Sequence, residues 1–506
     1  MKALSRLKQN VLANYVGTGL GAAMAVVFVP MYIKFMGIES YGLIGIFGIL
    51  GAVVNLLDMG LSPTLNRELA RLSALPNKAQ EMRNLVRTLE LPYWGVALAI
   101  GITVFALAPL IAHNWVQAKH LSQDTVQQAV MIMGLIMMLQ WPMSFYSGGL
   151  MGLQRQVILN SINVGIAALR GVGAILILWL VSPTIQAFFI WQVCTSALQI
   201  SILVIFLWRR LPSASAPAQF QIESLRRVWR FAASLSITSV VTLVLTQLDK
   251  VILSRMLTLE TFGYYSLAYT VAANLMLLVY PVNTAIFPRF SQLVASGDQD
   301  GLKQVYHLSC QLVSVLILSV AAIVTLFAPE ILLLWTRNPT TAANTHSIVS
   351  LLIIGTALNG LAILPYALQL AHGWTRLMLY TNSVAAIIMA PLIIALTILY
   401  QARGAAIAWI ILNSGYVFVS LPLMHRRLLR GEQWRWYFED VGMPLLGALL
   451  IAILGRVLIT SETPQLVMLV SLAGISLLTL LVTIACAPRI RAQVLDQVKR
   501  RVQIGF

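Results

Sequence analysis

Long runs of apolar residues dominate the chain, and short polar segments separate them. A helix needs about 20 apolar residues to cross the hydrocarbon core of a bilayer, and fourteen stretches reach that length. Backbone groups inside lipid are satisfied only in helices or closed barrels, and barrel strands are about ten residues long. The pattern therefore predicts an all-α polytopic membrane protein with about 14 transmembrane helices. The predicted spans are 11–34, 41–63, 91–112, 127–150, 157–181, 184–208, 231–254, 262–287, 304–328, 346–370, 377–400, 403–424, 441–460 and 465–486.

The second half of the chain repeats the first at a shift of 220 to 222 residues. Glu39-Ser40-Tyr41-Gly42 returns as Glu260-Thr261-Phe262-Gly263. Further mates are Lys34 with Arg255, Arg83 with Lys303, Arg155 with Arg376, Ala108-Pro109 with Ala328-Pro329, and Asn160-Ser161 with Asn382-Ser383. Six crossings bring the chain back to the side on which it began. The repeat therefore predicts two six-helix bundles related by a pseudo-twofold axis along the membrane normal, with a cavity suited to alternating access.

The repeat divides the chain into four predicted segments. Residues 1–208 form an N-terminal lobe with helices 1–6, and residues 231–424 form a C-terminal lobe with helices 7–12. Residues 209–230 form a basic cytoplasmic linker between them. Residues 425–506 hold a basic loop, two appended helices and a cytoplasmic tail.

Composition agrees with a membrane protein. Only 10% of the residues are charged and 59% are hydrophobic, whereas soluble domains carry about 25% charged residues. So little charge cannot cover a soluble surface, which excludes soluble enzymes and disordered chains. The three cysteines, Cys194, Cys310 and Cys486, lie in or at apolar stretches and show neither metal-ligand spacing nor a disulfide framework.

Basic residues are distributed very unequally between the loops. Lys and Arg number 34 against 17 Asp and Glu, a net charge of +17. With the N-terminus in the cytoplasm, 26 of these 34 cations fall in cytoplasmic segments and five on the opposite side. The positive-inside rule then predicts a protein of the inner membrane with both termini cytoplasmic. Because the charges are dispersed over many segments, we expect contacts with anionic lipid and not with nucleic acid.

Motifs typical of catalysis are missing from the sequence. It has no G-x-x-x-x-G-K-[ST] loop and hence no motif for a nucleotide-driven motor. Asp298 and Asp300 resemble the D-x-D of sugar-nucleotide transferases, but helix capping is the simpler role in a turn before a span. The six histidines, His113, His120, His307, His346, His372 and His425, are scattered near span ends without ligand spacing. We therefore expect a transporter without metal or cofactor.

Ionisable side chains inside apolar spans are costly in lipid and are candidates for function. Arg170 lies about 14 residues into the fifth span, so it is the first candidate for a cation facing a wet cavity. A structural partner for a carbonyl or carboxylate is the alternative. Lys250 is the second candidate, although beside Asp249 it also fits a salt bridge at the outer interface. Asp58 and Asp249 are candidates for ion coupling, and Asp58 equally fits a gate contact or a pair with Arg67.

Other polar residues would complete a cavity between the lobes. Lys34 and Arg255 lie at the predicted outer ends of spans 1 and 7, and Arg67 and Arg289 at the inner ends of spans 2 and 8. These four would ring the cavity mouths with positive charge, or else anchor the helices at the interface. The predicted polar lining consists of Asn14, Gln247, Asn274 and Asn283.

Three groups of short motifs carry a resemblance to a known family. The first comprises Val29-Pro30-Met31-Tyr32, Gly37-Ile38-Glu39-Ser40-Tyr41-Gly42-Leu43, Leu56-Leu57-Asp58-Met59-Gly60-Leu61 and Arg67-Glu68-Leu69-Ala70. The second comprises Leu248-Asp249-Lys250-Val251-Ile252-Leu253 and Phe262-Gly263-Tyr264-Tyr265-Ser266-Leu267-Ala268, and the third is Gly152-Leu153-Gln154-Arg155. Over about the first 430 residues the chain resembles the polysaccharide transporter family of the multidrug/oligosaccharidyl-lipid/polysaccharide exporter superfamily.

The resemblance implies a V-shaped, two-lobed flippase for an undecaprenyl-diphosphate-linked oligosaccharide, an O-antigen or related unit for surface polysaccharide. It would move from the cytoplasmic to the outer leaflet, with a glycan polymerase and other assembly proteins as partners. The excess of cations over carboxylates in the predicted cavity suits a diphosphate head. The alternatives are an ion-coupled multidrug or small-cation antiporter of the same superfamily and a membrane-embedded glycan polymerase or ligase, which would require larger outer loops.

Overall fold

The computed structural model describes residues 19–20, 24, 26–58, 60–73, 75–223, 245–459 and 464–504. Helices make up nearly all of these segments, and they contain no β-strand beyond an isolated parallel bridge between Gln117 and Thr258. A helix pairs its backbone groups within one segment, which is what lipid requires of a spanning chain. The predicted all-α fold class is confirmed.

The chain divides into two compact units, Met1–Gly263 and Tyr264–Phe506. The helices of the first unit are α1 (Val29–Leu56), α2 (Leu61–Ser73), α3 (Ala79–Leu110), α4 (Gln123–Gly152), α5 (Gln156–Leu180), α6 (Ile185–Arg210) and α7 (residues 245–256). A π-helical turn, Ile111–Trp115, extends α3. Helix α8 (Leu259–Asn274) begins at the end of this unit and continues into the second.

The second unit continues with helices of 3 to 33 residues. They are α9 (Tyr280–Ser296), α10 (Gln299–Leu326), α11 (Ala328–Thr336), α12 (Pro339–Ala371), α13 (Arg376–Tyr400), α14 (Ala402–Gly415), α15 (Leu421–Leu428), α16 (Gln433–Arg435), α17 (Met443–Leu458), α18 (Gln465–Cys486) and α19 (Pro488–Ile504). A 3₁₀ turn, Leu275–Leu278, precedes α9, and π-helical turns occupy Tyr416–Ser420 and Trp436–Gly442.

Twelve helices among the described residues are long and apolar enough to cross a membrane, which is consistent with the prediction of about 14. The predicted spans 11–34 and 231–254 lie partly outside the described residues. Helix α1 includes the end of the first predicted span and most of the second. Gly37, with φ 81° and ψ 165°, interrupts its helical geometry between the two, a conformation that glycine adopts without steric cost.

Two predicted boundaries differ from the observed ones. Helix α3 begins at Ala79 and not at residue 91, because polar residues continue the helix beyond its apolar run. The second predicted span was expected to reach residue 63, but α1 ends at Leu56 and the amphipathic α2 begins at Leu61. At the start of α10, the carboxylate of Asp298 accepts the N–H of Gly301 at 2.9 Å, so the predicted capping role is confirmed.

The two predicted appended helices, α17 and α18, lie within the second unit and pack against α10. A buried apolar cluster joins α10 to α17 and α18, as the expected appendage requires. Its members are Ala322, Ile323, Phe327, Ala448, Ala452, Ile459, Met468, Leu472 and Ile475. The prediction of two helices added to the repeated core agrees with this packing.

The two copies of the repeated motif approach each other reciprocally within the first unit. A Cβ added to Gly42 would lie 2.5 Å from the carbonyl oxygen of Leu259, and one added to Gly263 would lie as close to the carbonyl oxygen of Ile38. Gly42 and Gly263 are repeat mates, and so are Ile38 and Leu259. Such a mutual contact is the arrangement that a local twofold relation produces.

The chain that leaves each set of six predicted helices docks on a helix of its own unit. Arg83 of α3 donates from Nη1 to the carbonyl oxygen of Pro212 at 3.3 Å. Lys303 of α10 places Nζ 3.3 Å from Oε1 of Glu432. Both the donors and the acceptors are related by the same shift of 220 residues. The repeat therefore extends past the last predicted helix of each copy.

Replacing Gly42 with Ala tests the close approach. Its methyl group would force α1 away from Leu259, and overpacking of this kind costs about 1–3 kcal/mol. We expect Gly42→Ala to lower the melting temperature of the purified protein. Gly48 of the same helix has no heavy atom within 4 Å of an added Cβ, so Gly48→Ala should leave the melting temperature unchanged or raised. Equal effects of the two variants would contradict the contact.

Candidate functional site

Arg170 lies in the middle of α5 and is bound by neutral polar side chains. Its Nη2 donates to Oε1 of Gln199 at 3.1 Å and to Oγ of Ser196 at 3.5 Å, both on α6. Gln199 donates in turn to Oδ1 of Asn163 at 3.1 Å, and Gln140 of α4 donates to Oγ of Ser196 at 3.0 Å. These five residues, called the Arg170 network below, join α4, α5 and α6.

The positive charge of Arg170 has no acidic counterpart in the part of the chain that the structure describes. No carboxylate there forms an ion pair with it, and its Nε is buried without a hydrogen-bond acceptor. Its side chain is half-buried. Amides and hydroxyls solvate the guanidinium but leave its charge uncompensated. An arginine in this state can receive an anion, since phosphate and carboxylate match its planar fork.

Glycines on α5 allow aromatic rings to lie against the helix beside Arg170. An added Cβ at Gly171 would overlap the ring of Phe28, and one at Gly173 would overlap the ring of Trp191. The indole N–H of Trp191 also donates to the carbonyl oxygen of Arg170 at 3.3 Å. Close packing of the rings at Gly171 and Gly173 fixes the rotation of α5 about its axis. This rotation directs Arg170 towards α6.

The acidic candidate Asp58 follows α1 and accepts hydrogen bonds from hydroxyl groups. Its Oδ1 accepts from Oγ of Ser62 at 2.5 Å, from the phenol of Tyr93, and from Oγ of Ser144 at 3.4 Å. The ring of Tyr93 stacks on Trp141 with centroids 4.6 Å apart. The carboxylate is thus held by donors that carry no charge.

The Arg170 network and the Asp58 group lie on neighbouring turns of one helix. Gln140 belongs to the former and Ser144 to the latter, and residues four apart on a helix share a face about one turn apart. The structure therefore brings the predicted anion-binding cation and one predicted coupling acid to the same part of α4.

Lys250 is buried and makes contacts within its own helix. Its Nζ donates to the carbonyl oxygen of Thr246 at 2.7 Å and to Oε1 of Gln247 at 3.2 Å. Oδ1 of Asp249 lies 3.9 Å away. The predicted residues Lys250, Gln247 and Asp249 are thus brought together, in the salt-bridge arrangement that the sequence offered as an alternative.

The remaining predicted residues make local contacts. Lys34 and Arg255 are exposed. Arg67 is exposed and forms an ion pair with Glu68 at 2.8 Å, and Arg289 donates to Gln292 at 3.3 Å. Asn274 donates to the carbonyl oxygen of Thr270 at 2.6 Å. Oδ1 of Asn283 is buried without a partner, and Asn14 lies outside the described residues.

Two buried carboxylate groups are missing from the sequence predictions. Glu90 accepts from the phenol of Tyr146 at 2.6 Å and from the indole of Trp208 at 3.1 Å. In the second unit, His307 and Asp440, both 0% exposed, face each other across 2.5 Å. One signal for the latter group is present in the sequence: Lys303, His307 and Gln311 recur at intervals of four, which forms a polar stripe on one helix face.

Comparisons with known proteins agree with this fold. The family described as "Polysaccharide biosynthesis protein" matches residues 7–294, and the MatE family matches residues 235–394. The chain is 21% identical over 402 residues to a putative O-antigen transporter of Shigella flexneri, covering 79% of this chain and 93% of that protein.

Two solved structures, a lipid II flippase and a multidrug transporter, have folds similar to that of this chain. Lipid II flippase MurJ in an inward closed conformation has a TM-score of 0.72 at 13% identity, covering 94% of this chain and 97% of that one. A multidrug resistance MATE family transporter of the MOP superfamily, inward-facing, has a TM-score of 0.67 at 14% identity, covering 80% and 94%. These likenesses confirm the fold.

Removing the main acceptor of Arg170 tests the network. Gln199→Leu leaves the guanidinium short of one hydrogen bond, which costs on the order of 1 kcal/mol. We expect a lower melting temperature of the purified protein. The control is Gln186→Leu on the same helix, because Gln186 forms only an exposed 3.3 Å hydrogen bond to Gln128 among the described contacts. If the two variants have the same melting temperature, the hydrogen bond between Arg170 and Gln199 does not stabilise the protein.

Proposed function

We propose that this chain, which belongs to the polysaccharide biosynthesis protein family, is a flippase for a lipid-linked glycan. Its family and its curated relative make it a membrane transporter and not an enzyme, as the sequence predicts. The proposed cargo is an undecaprenyl-diphosphate-linked oligosaccharide, an O-antigen unit or a related surface glycan. It would move from the inner to the outer leaflet of the cytoplasmic membrane.

The uncompensated charge of Arg170 is the observation that carries the proposal. Burying a cation in a spanning helix costs about 2.5–3.5 kcal/mol on insertion scales, and neutral partners recover only part of this. An incoming diphosphate supplies the missing negative charge through charge-assisted hydrogen bonds. The amides of Gln140, Asn163 and Gln199 are donors and acceptors of the kind that sugar hydroxyls require.

The other cations take supporting roles in this proposal. Lys250 and Gln247 contact the anionic head, while Lys34, Arg255, Arg67 and Arg289 attract it to the mouths of the path. The diphosphate and its sugars cross by alternating access, and the lipid tail remains in the bilayer. The basic linker 209–230 and both termini lie in the cytoplasm next to anionic lipid.

An ion gradient, the membrane potential or downstream consumption of the glycan supplies the energy in this scheme, because the sequence has no nucleotide-binding motif. Asp58 and Asp249 are the proposed coupling residues. Asp58 supports this role by its position one turn of α4 away from the Arg170 network.

The alternative is an ion-coupled exporter of drugs or small cations. The MatE match over residues 235–394 favours it. A lipophilic cation would be bound best by carboxylates or aromatic faces, so the free positive charge of Arg170 opposes this cargo. A deletion strain that keeps its surface glycan but becomes sensitive to cationic dyes would establish the antiporter.

Substitution of Arg170 tests the flippase. In a deletion strain complemented with the variant, Arg170→Ala should abolish surface glycan display while folded protein remains at the normal level. Arg170→Lys should retain part of the display, because the charge remains and the bidentate fork is lost. Arg403→Ala is the control, since Arg403 is exposed and donates to the neutral Ser347. Full display from Arg170→Ala would remove Arg170 from the cargo site.

Substitution of the two acids tests the coupling. In Asp58→Asn the side chain keeps its size and one acceptor oxygen but cannot be ionised. Asp249→Asn makes the same change at the second candidate position. We expect at least one of them to slow transport and to flatten its dependence on pH in vesicles with an imposed proton gradient. Unchanged rates and pH profiles in both variants would show that coupling runs through other groups.

A further inference from the structure

His307 lies in the third turn of α10 with both ring nitrogens facing carboxylate oxygens. Nδ1 is 2.5 Å from Oδ2 of Asp440, and Nε2 is 3.1 Å from Oε2 of Glu432. The histidine and Asp440 are completely buried, and the side chain of Glu432 is 14% exposed. We call these three residues the His307 triad.

This geometry requires a proton count. A neutral imidazole has one N–H and one lone pair, and an ionised carboxylate only accepts. Between two ionised carboxylates, a neutral His307 would therefore point a lone pair at one of them. Both contacts become hydrogen bonds when the triad holds one additional proton, on the imidazole or on a carboxyl group.

Charged and titratable groups surround the triad on every helix that packs against it. These groups are Lys303, Tyr306 and Cys310 on α10, His425 on α15, Arg435 and Glu439 before α17, and Arg489 on α19. Gln311 donates to Oδ1 of Asp440 at 3.0 Å. Lys303 and Arg435 lie 3.3 and 3.8 Å from the carboxylate of Glu432. These two cations lie against Glu432 and partly balance its charge, whereas Asp440 has the neutral Gln311 as a further partner.

The position of Glu432 favours the ionised form of that residue. Burial raises the pKa of its carboxyl group, but hydrogen bonds from Lys303 and His307, together with the charges of these residues, bring the pKa below its ordinary value. An ionised Glu432 is an acceptor for Nε2 of His307, so the additional proton of the fully hydrogen-bonded triad lies among these three residues. This proton joins α10 to two points of the segment 432–440, through which the chain passes from α15 to α17.

We propose that the His307 triad is a proton-binding site that regulates the transporter by fastening segment 432–440 to α10. With the proton bound, both carboxylates hold the histidine. When the proton leaves, one of the two hydrogen bonds is lost and the attachment of the two C-terminal helices to α10 weakens. The site lies apart from Asp58 and Asp249 in sequence, and it does not depend on the identity of the cargo.

The variant Glu432→Gln separates the proton from the contact. The amide can donate to Nε2 while Nδ1–H donates to Asp440, so every hydrogen bond forms without an additional proton. A group that binds a proton in the folded state stabilises it at low pH, and this contribution is lost as pH rises. For the full-length protein in nanodiscs, we expect the melting temperature of the wild type to fall between pH 6 and pH 9 relative to that of Glu432→Gln, by about 2 °C or more.

The matched control is Glu439→Gln. It makes the same change of charge and also removes a partner of Arg435, at 2.9 Å, but Glu439 is half-exposed and forms no described contact with His307. We expect its melting temperature to follow the wild-type pH profile. Parallel profiles for wild type, Glu432→Gln and Glu439→Gln would overturn the proposal. Should Glu432→Gln fail to fold, Asp440→Asn replaces it, since its amide can donate to Nδ1 and its oxygen can still accept from Gln311.

A spectroscopic measurement on the wild type gives a result that stability alone cannot. In protein labelled with ¹⁵N-histidine, recorded from pH 6 to pH 9 with signals assigned by comparison with His307→Gln, we expect the His307 ring signals to change with pH in the wild type and not in Glu432→Gln. The transport rate should change over the same pH interval in the wild type and in Glu439→Gln, but not in Glu432→Gln. A His307 ring that stays neutral and unchanged throughout this range, or a transport profile that Glu432→Gln leaves intact, would contradict the proton site.

Discussion

The hydrocarbon core of a membrane has no groups that hydrogen-bond to a protein, and this constraint determines where polar groups occur in the fold. Every polar side chain placed within a spanning helix must find partners on neighbouring helices or retain the cost of desolvation. Arg170 meets the requirement with amides and a hydroxyl, Asp58 with hydroxyls, and His307 with two carboxylates. The three sets of partners differ in charge. Neutral partners leave Arg170 with its positive charge and Asp58 with its negative charge, whereas the partners of His307 are themselves acids, and the proposed proton site lies there.

Duplication explains contacts that look unrelated along the chain. The reciprocal approach of Gly42 and Gly263 joins equivalent points of the two copies. The hydrogen bond from Arg83 to Pro212 and the ion pair of Lys303 with Glu432 are also equivalent. The first of these uses a backbone carbonyl where the second uses a carboxylate. The carboxylate of Glu432 also lies beside His307, so the His307 triad includes a contact whose position recurs in both copies.

The sequence predicts the fold well because burial in lipid depends on composition over about 20 residues, which apolar runs display directly. It predicts helix ends less well, since α3 continues through polar residues outside the apolar run. Depth in a span identified Arg170, but its partners Gln140 and Gln199 have no distinguishing local pattern. His307 was missed because Asp440 lies more than a hundred residues away in sequence, and pairing at that distance depends on tertiary packing.

The placement of charge also relates binding to energy coupling. A cation that binds a diphosphate strongly must release it on the other side, so its affinity has to change during the cycle. In the proposed cycle, adjacent turns of α4 link the two groups, because Ser144 donates to Asp58 and Gln140 donates to Ser196. Such coupling requires that the coupling ion bind two conformational states of the protein with different affinities. A chain of neutral hydroxyl and amide groups meets this requirement better than a direct Asp–Arg ion pair, which would cancel the charge that the cargo needs.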